Sequence, residues 1–249
     1  PLQRLPAGMA SPADMLISAP MSQFSEAVRR IRAGISKHLR GFGNWTESDT
    51  SPKGAVLMVS SSVPDEGKTS LALALGRTYA QSGMKTLVVD CDLRRPAIHK
   101  SLGVESDVGL LEYLAGRADS EALASIIQRD EETGLSVLLG SKRSNTPTDQ
   151  LITSTAFSRL IRAATKNFDI VILDTPPLLP VVDGLYLAQY ADAVLYIVRW
   201  SQTAQAAVRS GLAQLEQAKR PETPVLMLLN QVAKGQNQYG RNYDGYYNE

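Results

Sequence analysis

Apolar residues along this chain fall into two alternating patterns. Short runs rich in Val, Ile and Leu occupy residues 55–60, 86–90, 135–139, 170–174, 193–198 and 225–230. Runs this short and this uniformly apolar predict strands buried on both faces. Between them, residues 69–81, 155–166 and 203–219 repeat their apolar positions at the helical period. Strand alternating with helix predicts an α/β fold: a mostly parallel sheet with helices on both faces. Ligands are then expected at the carboxyl ends of the strands.

The flanks read differently. Phe24, Val28, Ile31, Ile35 and Leu39 are spaced as one face of a helix that starts at Ser22, with Ser22 or Ser25 as its N-cap. The other face carries Glu26, Arg29, Arg30, Arg32, Lys37 and Arg40. Residues 1–20 show no period and read as a linker or extended arm, while residues 41–53 collect Gly, Asn, Asp, Ser and Pro as breakers. Residues 235–249 contain no aliphatic side chain, so this segment cannot bury itself and is expected to be a flexible tail. The organisation expected is an arm over residues 1–21, one domain over 22–234 and a tail over 235–249.

Composition narrows the function classes. At 249 residues and 43% hydrophobic content the chain has enough apolar mass for a substantial core. A net charge of +1 gives no reason to expect nucleic acid as a partner. No apolar run reaches the ~18–20 residues needed to cross a bilayer. The single Cys91 has no partner for an intrachain disulfide and, lying between two acids, reads as a small buried filler. The chain opens at Pro1 and is expected to continue upstream. His38 and His99 are isolated, and no set of His, Cys and acids has metal-ligand spacing.

The chemistry concentrates between the first strand and the helix that follows. Ser60-Ser61-Ser62-Val63-Pro64-Asp65-Glu66-Gly67-Lys68-Thr69-Ser70 matches a phosphate loop, with Ser62 in place of the first glycine. In such a loop the backbone N–H groups of residues 62–70, Pro64 excepted, surround the phosphates and the helix N-terminus adds its dipole. Lys68 would reach the β- and γ-phosphates, and the Thr69 hydroxyl would coordinate Mg2+. Two more strands end in acids. Leu87-Val88-Val89-Asp90-Cys91-Asp92 carries two carboxylates of one side-chain parity, and Val171-Ile172-Leu173-Asp174-Thr175-Pro176-Pro177 carries a third. Oxygen ligands at strand ends beside a phosphate loop suit a hard cation and a nucleoside triphosphate such as ATP, so the expected reaction is phosphoryl transfer or nucleotide hydrolysis.

Together these three sites resemble the bacterial tyrosine kinases, or BY-kinases, the cytoplasmic catalytic domains of Wzc-like polysaccharide co-polymerases. The resemblance runs from about Ser22 to Tyr247. Its most specific part is Val88-Val89-Asp90-Cys91-Asp92-Leu93-Arg94-Arg95-Pro96. Glu26, Arg29 and Arg32 are similar to the family's N-terminal helix motif, which packs subunits into a ring, and Gly109-Leu110-Leu111-Glu112-Tyr113-Leu114-Ala115-Gly116 also looks like a family segment. Tyr239, Tyr243, Tyr246 and Tyr247 put four of the nine tyrosines in the last eleven residues, similar to the family's autophosphorylated cluster.

The resemblance implies a P-loop NTPase-type fold and an ATP- and magnesium-dependent protein-tyrosine kinase that modifies its own tail. It assigns Lys68 to the γ-phosphate and Thr69, Asp92 and Asp174 to the magnesium. Asp90 would accept the tyrosine proton, although the spacing of Asp90 and Asp92 lets them exchange roles. Arg94 and Arg95 would meet phosphate or a neighbouring subunit, and Asn230 the adenine. The 17 residues from Asn230 to Tyr247 span up to ~60 Å when extended, so the tail reaches an active site in cis or in trans. Implied partners are a homo-oligomeric ring, octameric by resemblance, a transmembrane co-polymerase segment and a tyrosine phosphatase, at the cytoplasmic face of the inner membrane. Exopolysaccharide or capsule polymerisation and export would be the process regulated.

Two positions depart from the pattern. Asp65 stands where the family usually has glycine, and Ala74 where asparagine is common. The nearest rival is a switch ATPase of the partitioning or division-site type. Its signature lysine, five residues before the loop lysine, is Val63 here. An inert nucleotide-binding regulatory subunit is the third possibility.

Overall fold

The apolar runs assemble into one seven-stranded sheet. The structure is a computed structural model and describes residues 11–39, 54–104, 108–116, 123–140 and 147–232. Its elements begin with α1 (Met15–Ser18), α2 (Gln23–Ser36), β1 (Ala55–Ser61), α3 (Lys68–Gln81) and β2 (Thr86–Asp90). There follow α4 (Ile98–Leu102), α5 (Leu110–Leu114), α6 (Leu123–Ile126), β3 (Ile127–Arg129) and β4 (Ser136–Leu138). The last part contains α7 (Thr148–Ile152), α8 (Thr155–Asn167), β5 (Ile170–Asp174), α9 (Asp183–Ala188), β6 (Ala193–Arg199), α10 (Gln205–Ala218) and β7 (Val225–Asn230).

The sheet order is β3-β4-β2-β5-β1-β6-β7. The pairings are parallel except where β3 meets β4. This is the mostly parallel α/β architecture that the alternating pattern predicts. The strand β3 is absent from that pattern because Ile127, Gln128 and Arg129 form a half-exposed edge with no apolar run to betray it.

Each central strand feeds two cores, since successive side chains point to opposite faces. Leu57, Val59, Val88 and Ile172 pack against α2 and α3 on one face. Met58, Val89, Leu173 and Tyr196 pack against α5 and α8 on the other. Helix α3 is buried almost all round, from Leu71 to Tyr79, because it lies between the sheet and α2. Each fully buried Leu of that helix contributes about 1.5–3 kcal/mol.

One expectation about the N-terminal region changes and another is narrowed. Residues 11–18 are not an extended arm. A helical turn at Pro12–Asp14 and α1 bury Ala13 and Leu16 against α3. Asp14 accepts from the buried Arg77 at 2.6 Å, and Asp130 accepts from the same guanidinium at 2.9 Å. No local period announces this, because the partners lie in α3 and beside β3. The N-cap of α2 is Ser22, whose hydroxyl accepts from Ser25 N–H at 3.2 Å, whereas Ser25 donates back to the Met15 and Ala19 carbonyls.

No helix among the described residues is long and apolar enough to cross a membrane. The tail with Tyr239, Tyr243, Tyr246 and Tyr247 lies outside the described residues, as do residues 1–10 and 40–53.

Candidate functional site

Strand order brings the three motifs together. In the registers, β5 sits between β1 and β2, and Asp174 faces Val59 on one side and Asp90 on the other. Asp90 and Asp174 share the parity of Val88 and Ile172, whose face is covered by α3. Both carboxyl groups therefore emerge at the sheet edge on the side where the phosphate loop turns into that helix.

The loop is held from below by partners far away in sequence. Ser62 keeps an ordinary negative φ, so the missing first glycine introduces no strain there. Its hydroxyl meets the Tyr196 hydroxyl at 2.7 Å, and a Cβ on Gly211 would occupy the space that this phenol fills. Glu66 is fully buried. It accepts from Val63 N–H at 2.8 Å, from Arg199 N–H at 3.1 Å and from the Thr203 hydroxyl. Thr203 thus belongs to this brace, and α10 begins after it, at Gln205. The Asn230 amide donates to the Glu66 carbonyl at 2.9 Å, so this side chain, expected at the adenine, ties β7 to the loop. Gly67 has φ +93°, and any side chain there would strike the Asn230 amide.

Asp65 and Pro64 form the exposed lip. Asp65 has φ +62°, in the left-handed region that glycine takes freely and Asp tolerates better than most residues. The glycine of the resembled motif thus has a backbone reason, and this chain meets it with a residue that adds a negative charge. Asp65→Gly is expected to bind ATP about 3–10-fold more tightly at low salt, with the gain shrinking as salt screens the phosphates. Titration with a fluorescent ATP analogue at two ionic strengths measures it, and an unchanged Kd at low salt would disconnect Asp65 from the nucleotide.

Lys68 opens α3 and is buried, its ammonium donating to the Ser61 hydroxyl at 3.0 Å. Burial pulls its pKa below the ordinary lysine value, and the carboxylates of Asp174, Asp92, Glu66 and Asp65 oppose that shift. Thr69 and Ser70 follow in the first turn and face the cleft.

The acids are unevenly satisfied. Asp90 is fully buried and accepts from Ala97 and Ile98 N–H at 3.1 and 3.2 Å through one oxygen. Its other oxygen, and both of Asp174, have no hydrogen-bond partner. The Thr69 hydroxyl lies near enough to hold the Asp174 pKa down somewhat, but it closes no well-formed hydrogen bond. Burial nevertheless pushes Asp174 up to about 7, with Asp92 adding to the shift and Lys68 also opposing it. Burial likewise pushes Asp90 well above the carboxylate range, aided by the charge of Asp174. Asp92 is half-buried, accepts from Arg95 N–H at 2.9 Å and lines the cleft, which Asp90 does not. Burial raises its pKa as well.

Three buried carboxylate oxygens without donors are what a hydrated divalent cation satisfies. Among the described residues no three His, Cys, Asp or Glu side chains converge on one metal position. Magnesium suits such a site, because it takes few protein ligands and completes its shell with phosphate and water. Cys91 is buried on the opposite face, where burial and the three acids push its thiol well above the usual range. It is a neutral packing group.

The cleft measures about 1040 Å³ and is lined by the loop lip, Lys68, Thr69, Asp92, Arg95, Lys100 and the Pro-rich turn after β5. This is at the upper end of the ~300–1,000 Å³ of small-molecule sites. Arg94 is held at its edge by the buried Asp183 at 3.3 Å and by Thr148 at 3.0 Å. The Glu66, Tyr196 and Asp183 contacts had no signal in the local sequence, since the partners of Glu66 lie 133 and 137 residues away.

The α2 motif is engaged within the chain. Glu26 accepts from Arg29 at 3.1 Å and Arg30 at 3.3 Å, and the Arg29 hydrogen bond, against a small opposing effect of burial, lowers the Glu26 pKa. Arg32 donates to the Thr78 carbonyl at 2.9 Å and lies 5.9 Å from the Tyr79 ring centre.

Known proteins share this fold. The AAA domain family matches residues 60–226, more than half of the chain. The tyrosine-protein kinase ptk of Acinetobacter johnsonii is 34% identical over 169 residues, covering 68% of this chain and 22% of that protein. The chain spans about a quarter of the length of the curated relatives it first matches. The solved kinase domain of the Escherichia coli tyrosine kinase ETK superposes with a TM-score of 0.77 at 27% identity, over 90% of this chain and 81% of that one. The solved VpsO kinase domain gives a TM-score of 0.63 at 31% identity, over 84% and 100%.

Proposed function

Because the chain belongs to the AAA domain family and, within it, to the bacterial tyrosine kinases, we propose that it transfers the γ-phosphate of ATP to tyrosines of its own C-terminal cluster. The observation that carries this reading is the set of three unpartnered, buried carboxylate oxygens on Asp90 and Asp174 beside a phosphate-loop lysine. Magnesium, when bound, would neutralise charge on the β- and γ-phosphates. Thr69 and Asp174 would hold it, with Asp90 receiving its water shell.

Lys68 would attract the γ-phosphate, and the N–H groups of the loop and the first turn of α3 would hold the β-phosphate. The tyrosine oxygen forms the new bond to phosphorus while the bond to the β,γ-bridging oxygen breaks and leaves with ADP. The phenol proton goes to Asp92. Its place in the lining of the cleft, which the fully buried Asp90 does not share, makes it the better-placed base of the pair. This exchanges the roles that the resemblance gave to Asp90 and Asp92. Arg94, locked to Asp183, would keep the Asp92 turn in position.

The resemblance favours transfer in trans within a ring, with Glu26 and Arg29 as the outward part of the α2 contact. A transmembrane co-polymerase segment, a phosphatase that reverses the reaction and control of polysaccharide export at the inner membrane belong to the same reading. Incubating the chain with labelled ATP and magnesium is the test. Label on tyrosine, lost when Tyr239, Tyr243, Tyr246 and Tyr247 are all changed to Phe, is the expected result. Free phosphate without protein label would favour the switch ATPase instead, and neither product would favour an inert subunit.

A further inference from the structure

The cleft beside the phosphate loop has two unlike walls. Pro176, Pro177, Pro180 and Val181, from the turn after β5, make one of them apolar. Val182 and Tyr186, which follow in the chain, are 50% and 42% exposed. The other wall carries Arg95 and Lys100, both exposed. Among the described residues neither of them is paired with a carboxylate, unlike Arg94, which Asp183 holds.

Neither wall is required by the nucleotide's phosphates, which the loop, Lys68 and the N-terminus of α3 accommodate. An apolar lining in the same cleft as Asp92 suits an aromatic ring whose hydroxyl must reach that carboxylate. Two cations without a carboxylate partner, lining the same cleft, suit an anion carried close to the ring. A tyrosine followed by an acid offers both. In the C-terminal segment Tyr243 is followed at once by Asp244, whereas Tyr239 precedes Gly240 and Arg241, and Tyr246 precedes another tyrosine.

We propose that this cleft is an acceptor subsite selecting tyrosine with a carboxylate on its C-terminal side, and that Tyr243-Asp244 is its preferred occupant. The inference rests on the kinase reading of the same cleft and adds its substrate preference. The Pro176–Val181 wall receives the ring, and Arg95 with Lys100 receives the Asp244 carboxylate.

The full chain, with ATP and magnesium, is followed by time-resolved mass spectrometry. The ratio of the Tyr243 to the Tyr239 rate is read within each molecule, so that any change in nucleotide binding cancels. Tyr243 is expected to lead. Asp244→Lys is expected to lower the ratio about tenfold, as replacing attraction by repulsion beside two exposed cations should. Arg95→Glu with Lys100→Glu should lower it similarly, and combining all three changes should restore most of it, which a merely damaged fold would not do. Equal rates at all four tyrosines in every variant, or no recovery in the triple variant, would overturn the subsite while leaving the kinase reading intact. A wild-type chain that labels none of its tyrosines would overturn the kinase reading and the subsite with it.

Discussion

Asp174→Asn is expected to abolish phosphoryl transfer and, in the same protein, to stabilise the metal-free fold at alkaline pH. The first effect follows from losing an anionic ligand at a cation site, roughly 10²–10³-fold in rate. The second follows from the burial of a carboxyl group whose oxygens find no donor. Its pKa stands at about 7 in the folded chain against an ordinary 3.8. Between those values the folded state holds a proton that the unfolded state has released. Stability therefore falls as pH rises through this window, and the loss is complete above about 7. Three pH units correspond to a ceiling of about 4 kcal/mol. At pH 8, without metal, Asp174→Asn should melt roughly 5–10 °C above the wild type, and the two should converge near pH 4. Magnesium with ATP should stabilise the wild type more than the variant. Thermal melts from pH 4 to 8 and a tyrosine-labelling assay measure both halves. A variant active within fivefold of the wild type, or one that keeps the wild-type slope, would remove Asp174 from the cation site.

Lys68→Met is expected to lower the rate about 10³-fold with little change in fold, since methionine fills nearly the same volume without charge. The ammonium is the buried cation facing Asp174, Asp92, Glu66 and Asp65. Without it a triphosphate would meet four carboxylates unopposed, so ATP affinity should fall along with turnover. Equilibrium binding of labelled ATP, read beside tyrosine labelling, separates the two losses. A rate loss below tenfold would mean that another group neutralises the γ-phosphate.

The parts of the site that could be read along the chain are those whose signal is local. The phosphate loop is a contiguous segment between a strand and a helix, and Asp90 and Asp174 each end an uninterrupted aliphatic run. Glu66 shows what is not local. Inside the motif it looks like one more acid near a phosphate, yet it is a buried brace joining the loop to the turn before α10. Asn230 was legible as a strand-end polar residue but not as the amide that closes over Gly67. Arg32 has the spacing of an exposed helix face, and only the packing of α2 on α3 turns it towards Thr78 and Tyr79.

The sequence by itself determined the alternation of buried strands and amphipathic helices, and with it the parallel sheet and the loop at the end of β1. Those features depend on side-chain period and on residues adjacent in the chain, which are visible in one dimension. Only the tertiary structure decided that β5 enters between β1 and β2, bringing Asp174 beside Asp90 beneath Lys68. It also decided which acid is buried with an oxygen left unpaired and which faces the cleft. Burial and hydrogen-bond satisfaction are properties of the assembled layers, so Asp90 and Asp92, equivalent by spacing, became chemically different only once the sheet was covered.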